Sequence, residues 1–118
     1  MIRILFVDHA EALGGAERSL LLMLEHLDRT RFQPVLACNS GPLADAARGL
    51  GVQVEPVPMP RLRREAAAPM RLWQGTRALI RLVRRERIDL VHSNVMRASF
   101  YASLAAWLTG RPLIWHVR

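Results

Sequence analysis

The stretch that decides the fold is Ile2–Leu27, "IRILFVDHAEALGGAERSLLLMLEHL". Residues 2–7 form an apolar run broken only by Arg3. Such a run reads as a strand buried on both faces. Ala16, Leu20, Met23, Leu24 and Leu27 recur at helical spacing, which predicts a helix over 16–28. Between them sits the pair Gly14–Gly15. Without a Cβ the backbone there can take positive φ or let a ligand come close. The helix behind it opens with unsatisfied N–H groups and a partial positive charge, a setting that suits phosphate. A purely structural loop is the other reading, because the spacing is not G-x-G-x-x-G.

The same alternation continues along the chain. "QPVLACN" (33–39) reads as a strand, "GPLADAARGLG" (41–51) as a short helix with Pro42 at its start, and "VQVEPV" (52–57) as a strand near a sheet edge. Three prolines make 58–69 a loop. Leu72, Trp73, Leu79, Ile80 and Val83 place a helix over 70–87, with these side chains expected on one buried stripe. "IDLVHS" (88–93) is a strand, 96–109 a helix and "PLIWHV" (112–117) a last strand. Apolar strands joined by helices predict an α/β fold, a doubly wound parallel sheet covered on both faces. Ligands then bind beyond the C-terminal ends of the strands, where the strand order reverses. No linker divides the 118 residues.

Composition narrows the chemistry. All 17 basic residues are arginine and the net charge is +7, which favours anionic partners. With no lysine, a Walker-type phosphate loop and a Schiff-base lysine are both excluded. No run of 18 apolar residues spans a membrane, and Asp8 and Glu11 inside the first segment argue against a signal peptide. The single Cys38 fits a reducing, cytoplasmic setting and reads as a small buried hydrophobe.

The strand ends supply the candidate residues. Asp8 and His9 end the first strand, and Asp8 could equally serve a turn. His92, Ser93 and Asn94 follow the fourth strand, where Asn94 could simply cap the next helix. His116 closes the fifth. Glu17 and Glu25 lie about 80° and about 12 Å apart on a helix and cannot act on one bond. Glu17 is expected to complement the helix N-terminus, and Glu25 to be solvated. Residues 61–88 carry nine arginines. They read as a core helix with a basic solvent face, or as a surface that rests on anionic lipid. Nucleic acid is disfavoured, as no interleaved aromatics, zinc ligands or helix-turn-helix accompany the charge.

Taken together, "ILFVDHAEALGGAERSLLLMLEHL" resembles the opening of the family 4 glycosyltransferases, and "IDLVHSNVMRASFYASLAAWLTGRPLIWHVR" resembles their fourth strand, next helix and fifth strand. The resemblance covers essentially the whole chain. It implies a GT-B architecture, in which two Rossmann-like domains face each other across a cleft. This chain (residues 1–118) is then the N-terminal, acceptor-side domain, a fragment without the C-terminal domain that makes most donor contacts. The resemblance gives Gly14 and Gly15 the donor diphosphate and gives His116 a catalytic place near the transferred sugar. Acceptor contacts fall to His9, Asn94 and its neighbour Arg97. The implied reaction moves a sugar from a nucleotide-sugar donor, retaining the anomeric configuration, with no cofactor and no required metal. The acceptor could be lipid-linked, with the protein peripheral at the inner face of the membrane. A fragment of this kind is expected to turn over little or no substrate alone. The rival reading is a non-catalytic module that docks on anionic membrane or an acidic partner through the arginine-rich helix 70–87.

Overall fold

The computed structural model describes residues 1–9, 13–57, 59, 68–94 and 96–115. Their elements alternate: β1 (Ile2–Val7), α1 (Gly15–His26), β2 (Phe32–Cys38), α2 (Pro42–Gly49), β3 (Gln53–Pro56), α3 (Ala68–Arg85), β4 (Leu90–Ser93), α4 (Met96–Thr109) and β5 (Leu113–Trp115). All strand pairs are parallel, in the order β3-β2-β1-β4-β5. The doubly wound sheet is therefore present, and the strand order reverses beside β1.

Alternation along the strands divides the core in two. Ile4, Phe6, Leu36 and Cys38 face one side and pack with Leu20 and Leu24 of α1 and Leu43 and Ala47 of α2. Leu5, Val7, Val35, Ala37 and Val91 face the other side, with Leu79 and Val83 of α3 and Tyr101 and Ala105 of α4. Pro34 sits in a strand flanked on both sides. It is tolerated because the β2–β3 ladder begins only at Val35, opposite Gln53. Arg3, the polar break in β1, sits at the other end of the sheet from the strand exits. Its guanidinium binds the Glu86 carboxylate at 2.9 Å and Gln33 Oε1 at 2.7 Å. Asp89 Oδ2 accepts the Arg3 backbone N–H at 2.9 Å.

β1 and α4 have the expected bounds, and other ends move by a few residues. The fourth strand starts at Leu90 because the Ile88 N–H turns back to the Val83 carbonyl, closing α3. Trp73 is a correction. It does not lie on the buried stripe and is 52% exposed, while Thr76, Leu79, Ile80 and Val83 are buried. One residue on from Leu72 is a rotation of about 100°, enough to carry the indole out to solvent. Gly110 closes α4 at φ 69°, and the Arg111 N–H reaches back to the Ala106 carbonyl at 2.9 Å.

Candidate functional site

The strand order reverses between β1 and β4, the point where open α/β sheets bind ligands beyond the C-terminal strand ends. Two polar residues extend these strands. The Asp8 N–H bonds the Ala37 carbonyl, and the Asn94 N–H bonds the Val7 carbonyl, both at 3.0 Å. Asp8 lies two residues beyond Phe6, and Asn94 two beyond His92, so both face α1 and α2. The His92 ring lies 5.0 Å from that of Phe6 on the same side. Asp8 and Asn94 are fully buried. Asn94 Nδ2 donates to Asp8 Oδ2 at 2.7 Å and to the Ala16 carbonyl at 3.3 Å. The side chain expected among the acceptor contacts thus directs its amide at the protein, tying β4 to β1 and to the first turn of α1.

The glycine pair stands above this tie. Gly14, the N-cap of α1, has φ −94° and ψ −171°, and among the described residues positive φ occurs at Gly41, Gly51, Arg87 and Gly110 instead. The pair does not supply the left-handed backbone expected of it; what it supplies is room. A Cβ on Gly14 would lie 2.9 Å from Glu17 Oε1. Among the described residues, a Cβ on Gly15 would meet nothing within 4 Å outside its own helix and chain neighbours. The first-turn N–H groups have no carbonyl one turn earlier in the helix.

Glu17 sits at the helix N-terminus as expected, where Oε1 accepts the Gly14 N–H at 3.1 Å, and it is buried at 7% exposure. Burial, then the Asp8 charge, raises the pKa of Glu17 above its ordinary value. A signal for this was in the sequence: Glu17 stands three and seven residues before Leu20 and Leu24, on the buried stripe itself. Glu25 is exposed, as expected.

On the far side of β1 the rim is stitched by Asn39, which the sequence reading did not single out. Its Nδ2 donates to the His9 carbonyl, and its Oδ1 accepts the Met59 N–H at 3.0 Å. His9 is therefore held at the rim by its backbone and is half-buried. Beside it, the fully buried Cys38 thiol is pushed up to about 11, by burial first and then by the Asp8 charge. Arg97 lies in the first turn of α4, with its side chain outside the described residues. His116 also lies outside the described residues. Among the described residues no group of three His, Cys, Asp or Glu side chains comes together to hold a metal.

A second surface lies on the opposite face of the sheet. Trp73, Arg77, Ile80, Arg81 and Arg84 of α3 line a groove with Leu108 of α4. Trp107, the residue before Leu108 in α4, is 78% exposed. Arg85 is ion-paired with Glu55 at 3.1 Å and with Glu86 at 3.4 Å, and no acidic residue occurs in α3. Among the described residues no helix is long and apolar enough to cross a membrane.

Sheet order and rim together define a Rossmann-like α/β domain of the kind that forms the N-terminal half of GT-B glycosyltransferases. The glycosyl transferase 4-like domain matches over residues 14–118, and the chain belongs to that family. Among solved structures, MurG of Acinetobacter baumannii superposes with a TM-score of 0.80 at 18% identity, over 99% of this chain and 35% of its own. HepE of Anabaena, in complex with UDP-glucose, gives 0.74 at 20% identity, over 98% and 29%. A UDP-GlcNAc 2-epimerase from Neisseria meningitidis, bound to UDP-GlcNAc, gives 0.67 at 13%, over 97% and 32%. At these identities the likeness is one of fold, and the epimerase shows that the fold alone does not choose the reaction. The chain spans about a third of the length of these structures. No curated protein matches significantly.

Proposed function

We propose that the chain is the acceptor-side domain of a retaining glycosyltransferase. The enzyme moves a sugar from a nucleotide-sugar donor without a required metal, together with a second Rossmann-like domain that makes the remaining donor contacts. The observation that carries the reading is the open start of α1 beside the C-terminal ends of β1 and β4: among the described residues, nothing outside its own helix and chain neighbours lies within 4 Å of a Cβ built on Gly15, which leaves room for a diphosphate at the first-turn N–H groups. Family membership and the UDP-glucose complex of HepE support a nucleotide-sugar donor. In this reading Gly14 and Gly15 receive the diphosphate and His116 assists at the transferred sugar. His9 and Arg97 meet the acceptor, and Asn94 acts through Asp8 and Ala16.

The groove between α3 and α4 adds a location. The exposed Trp73 beside Arg77, Arg81 and Arg84, with the exposed Trp107 of α4, matches the chemistry of an anionic bilayer surface, with aromatic rings at headgroup depth and cations against lipid phosphate. A lipid-linked acceptor at the inner face of the membrane fits that surface. The donor reading is tested by titrating the chain with UDP and with GDP, observed by NMR. Chemical-shift changes should centre on residues 14–17, and Gly15→Val should abolish them. Binding that is undiminished by Gly15→Val, or shifts confined to other strand ends, refutes it.

A further inference from the structure

One face of α1 lies between the core and open solvent. Leu20 and Leu24 enter the core, while Arg18, Leu22 and Glu25 are exposed and Leu21 is half-buried. At 100° per residue, Arg18 and Glu25 point within about 20° of one another, and Leu21 and Leu22 flank them at about 50° to either side. The four side chains therefore share one face. With Ala46 and Leu50 of α2 they line a groove of about 270 Å³.

The charges on this face run against the helix that carries them. Arg18 stands in the first turn of α1, where the helix end is already positive, and Glu25 in the last turn, where it is negative. Among the described residues neither has an ion-pair partner. Helix stability therefore does not account for them. Their placement is also symmetric. Arg18 and Glu25 lie at equal distances, about 5 Å along the axis, from the midpoint between Leu21 and Leu22. A second α1 laid antiparallel across that midpoint sets its Glu25 opposite Arg18 and its Arg18 opposite Glu25, with four leucines between. An isologous contact requires that relation, residue i meeting j while j meets i. A parallel pair would set like charges against each other. The face is locally neutral in a chain of net charge +7, so two copies approach here with less repulsion than across the arginines of α3.

We propose that the α1–α2 groove is a self-association surface that takes α1 of a second copy of this chain, antiparallel, through two Arg18–Glu25 pairs around Leu21 and Leu22. Ala46 and Leu50 form the outer wall against which the incoming helix rests. The leucines supply the apolar contact, and the ion pairs fix direction and register. The face is small, so the dimer belongs to the weak class and forms in concentrated solution. It needs no bound donor and leaves the α3–α4 groove, on the opposite side of the sheet, uncovered.

Sedimentation velocity of the 118-residue chain, from micromolar to millimolar concentration, tests the contact. The native chain should pass from monomer to dimer across the series. Arg18→Glu and Glu25→Arg each place like charges in both pairs and should weaken the dimer by at least about tenfold. Each substitution suits the helix dipole better than the native residue, so far-UV circular dichroism and Tm should hold or rise, which separates lost association from lost folding. An equimolar mixture of the two variants should associate as the native chain does, because opposite charges then meet in both pairs. Leu22→Glu should abolish association. A native chain that stays monomeric throughout overturns the proposal. So does association that Arg18→Glu and Glu25→Arg leave intact, or a mixture that remains as weak as either variant alone.

Discussion

Asn94→Ala removes the side chain that joins β4 to β1 and α1. Asn94 and Asp8 are both fully buried, so no bulk water replaces the lost donor. The 2.7 Å bond to Asp8 is of the charge-assisted kind, and leaving a buried carboxylate one donor short costs about 1.5–3 kcal/mol. The 3.3 Å bond to the Ala16 carbonyl is long and adds a few tenths to about 1 kcal/mol. A water entering the small polar cavity returns part of this. The net loss should be about 2–3 kcal/mol, a large share of the roughly 5–15 kcal/mol typical of a domain. It should appear as a fall in Tm of about 8–12 °C. The assay is urea unfolding followed by far-UV circular dichroism, with unchanged m-value as the check that the transition stays two-state. Leu22→Ala on the solvent face of α1 is the control, expected within about 0.5 kcal/mol of the native chain. If Asn94→Ala were as stable as this control, the buried tie would be wrong, and a ligand contact would be the better account of that side chain.

Two further outcomes follow from the surface and from the core. In flotation with vesicles of 30% phosphatidylserine, the chain should bind at low salt and release at high salt. Arg81→Ala with Arg84→Ala, or Trp73→Ala with Trp107→Ala, should abolish binding, and salt-independent binding that survives both pairs removes the membrane from the reading. The Cys38 thiol, buried and pushed up to about 11, should resist a maleimide at pH 8 in the folded chain and react within minutes in urea. Fast labelling without denaturant would show that the C-terminal rim opens far more readily than its packing implies.

What the sequence by itself determined was everything set by local period and punctuation. The apolar run of residues 2–7, broken only by Arg3, the helical spacing over 96–109 and the prolines near the end of 52–57 yield β1, α4 and an edge-side β3 because strand burial and helical faces are read over neighbouring residues. Alternation of these elements was enough for the parallel, doubly wound sheet, and "GGAER" for the family. Tertiary structure decided the charges at the rim. Asp8 and Asn94 are 86 residues apart in sequence and meet only because β4 pairs with β1. That adjacency buries the end of the α1 stripe, so that Glu17, placed at the helix end by the sequence, is buried there and pushed up by burial and by the Asp8 charge. Burial of a carboxyl depends on what the chain brings over it from afar, and no window of local sequence carries that information.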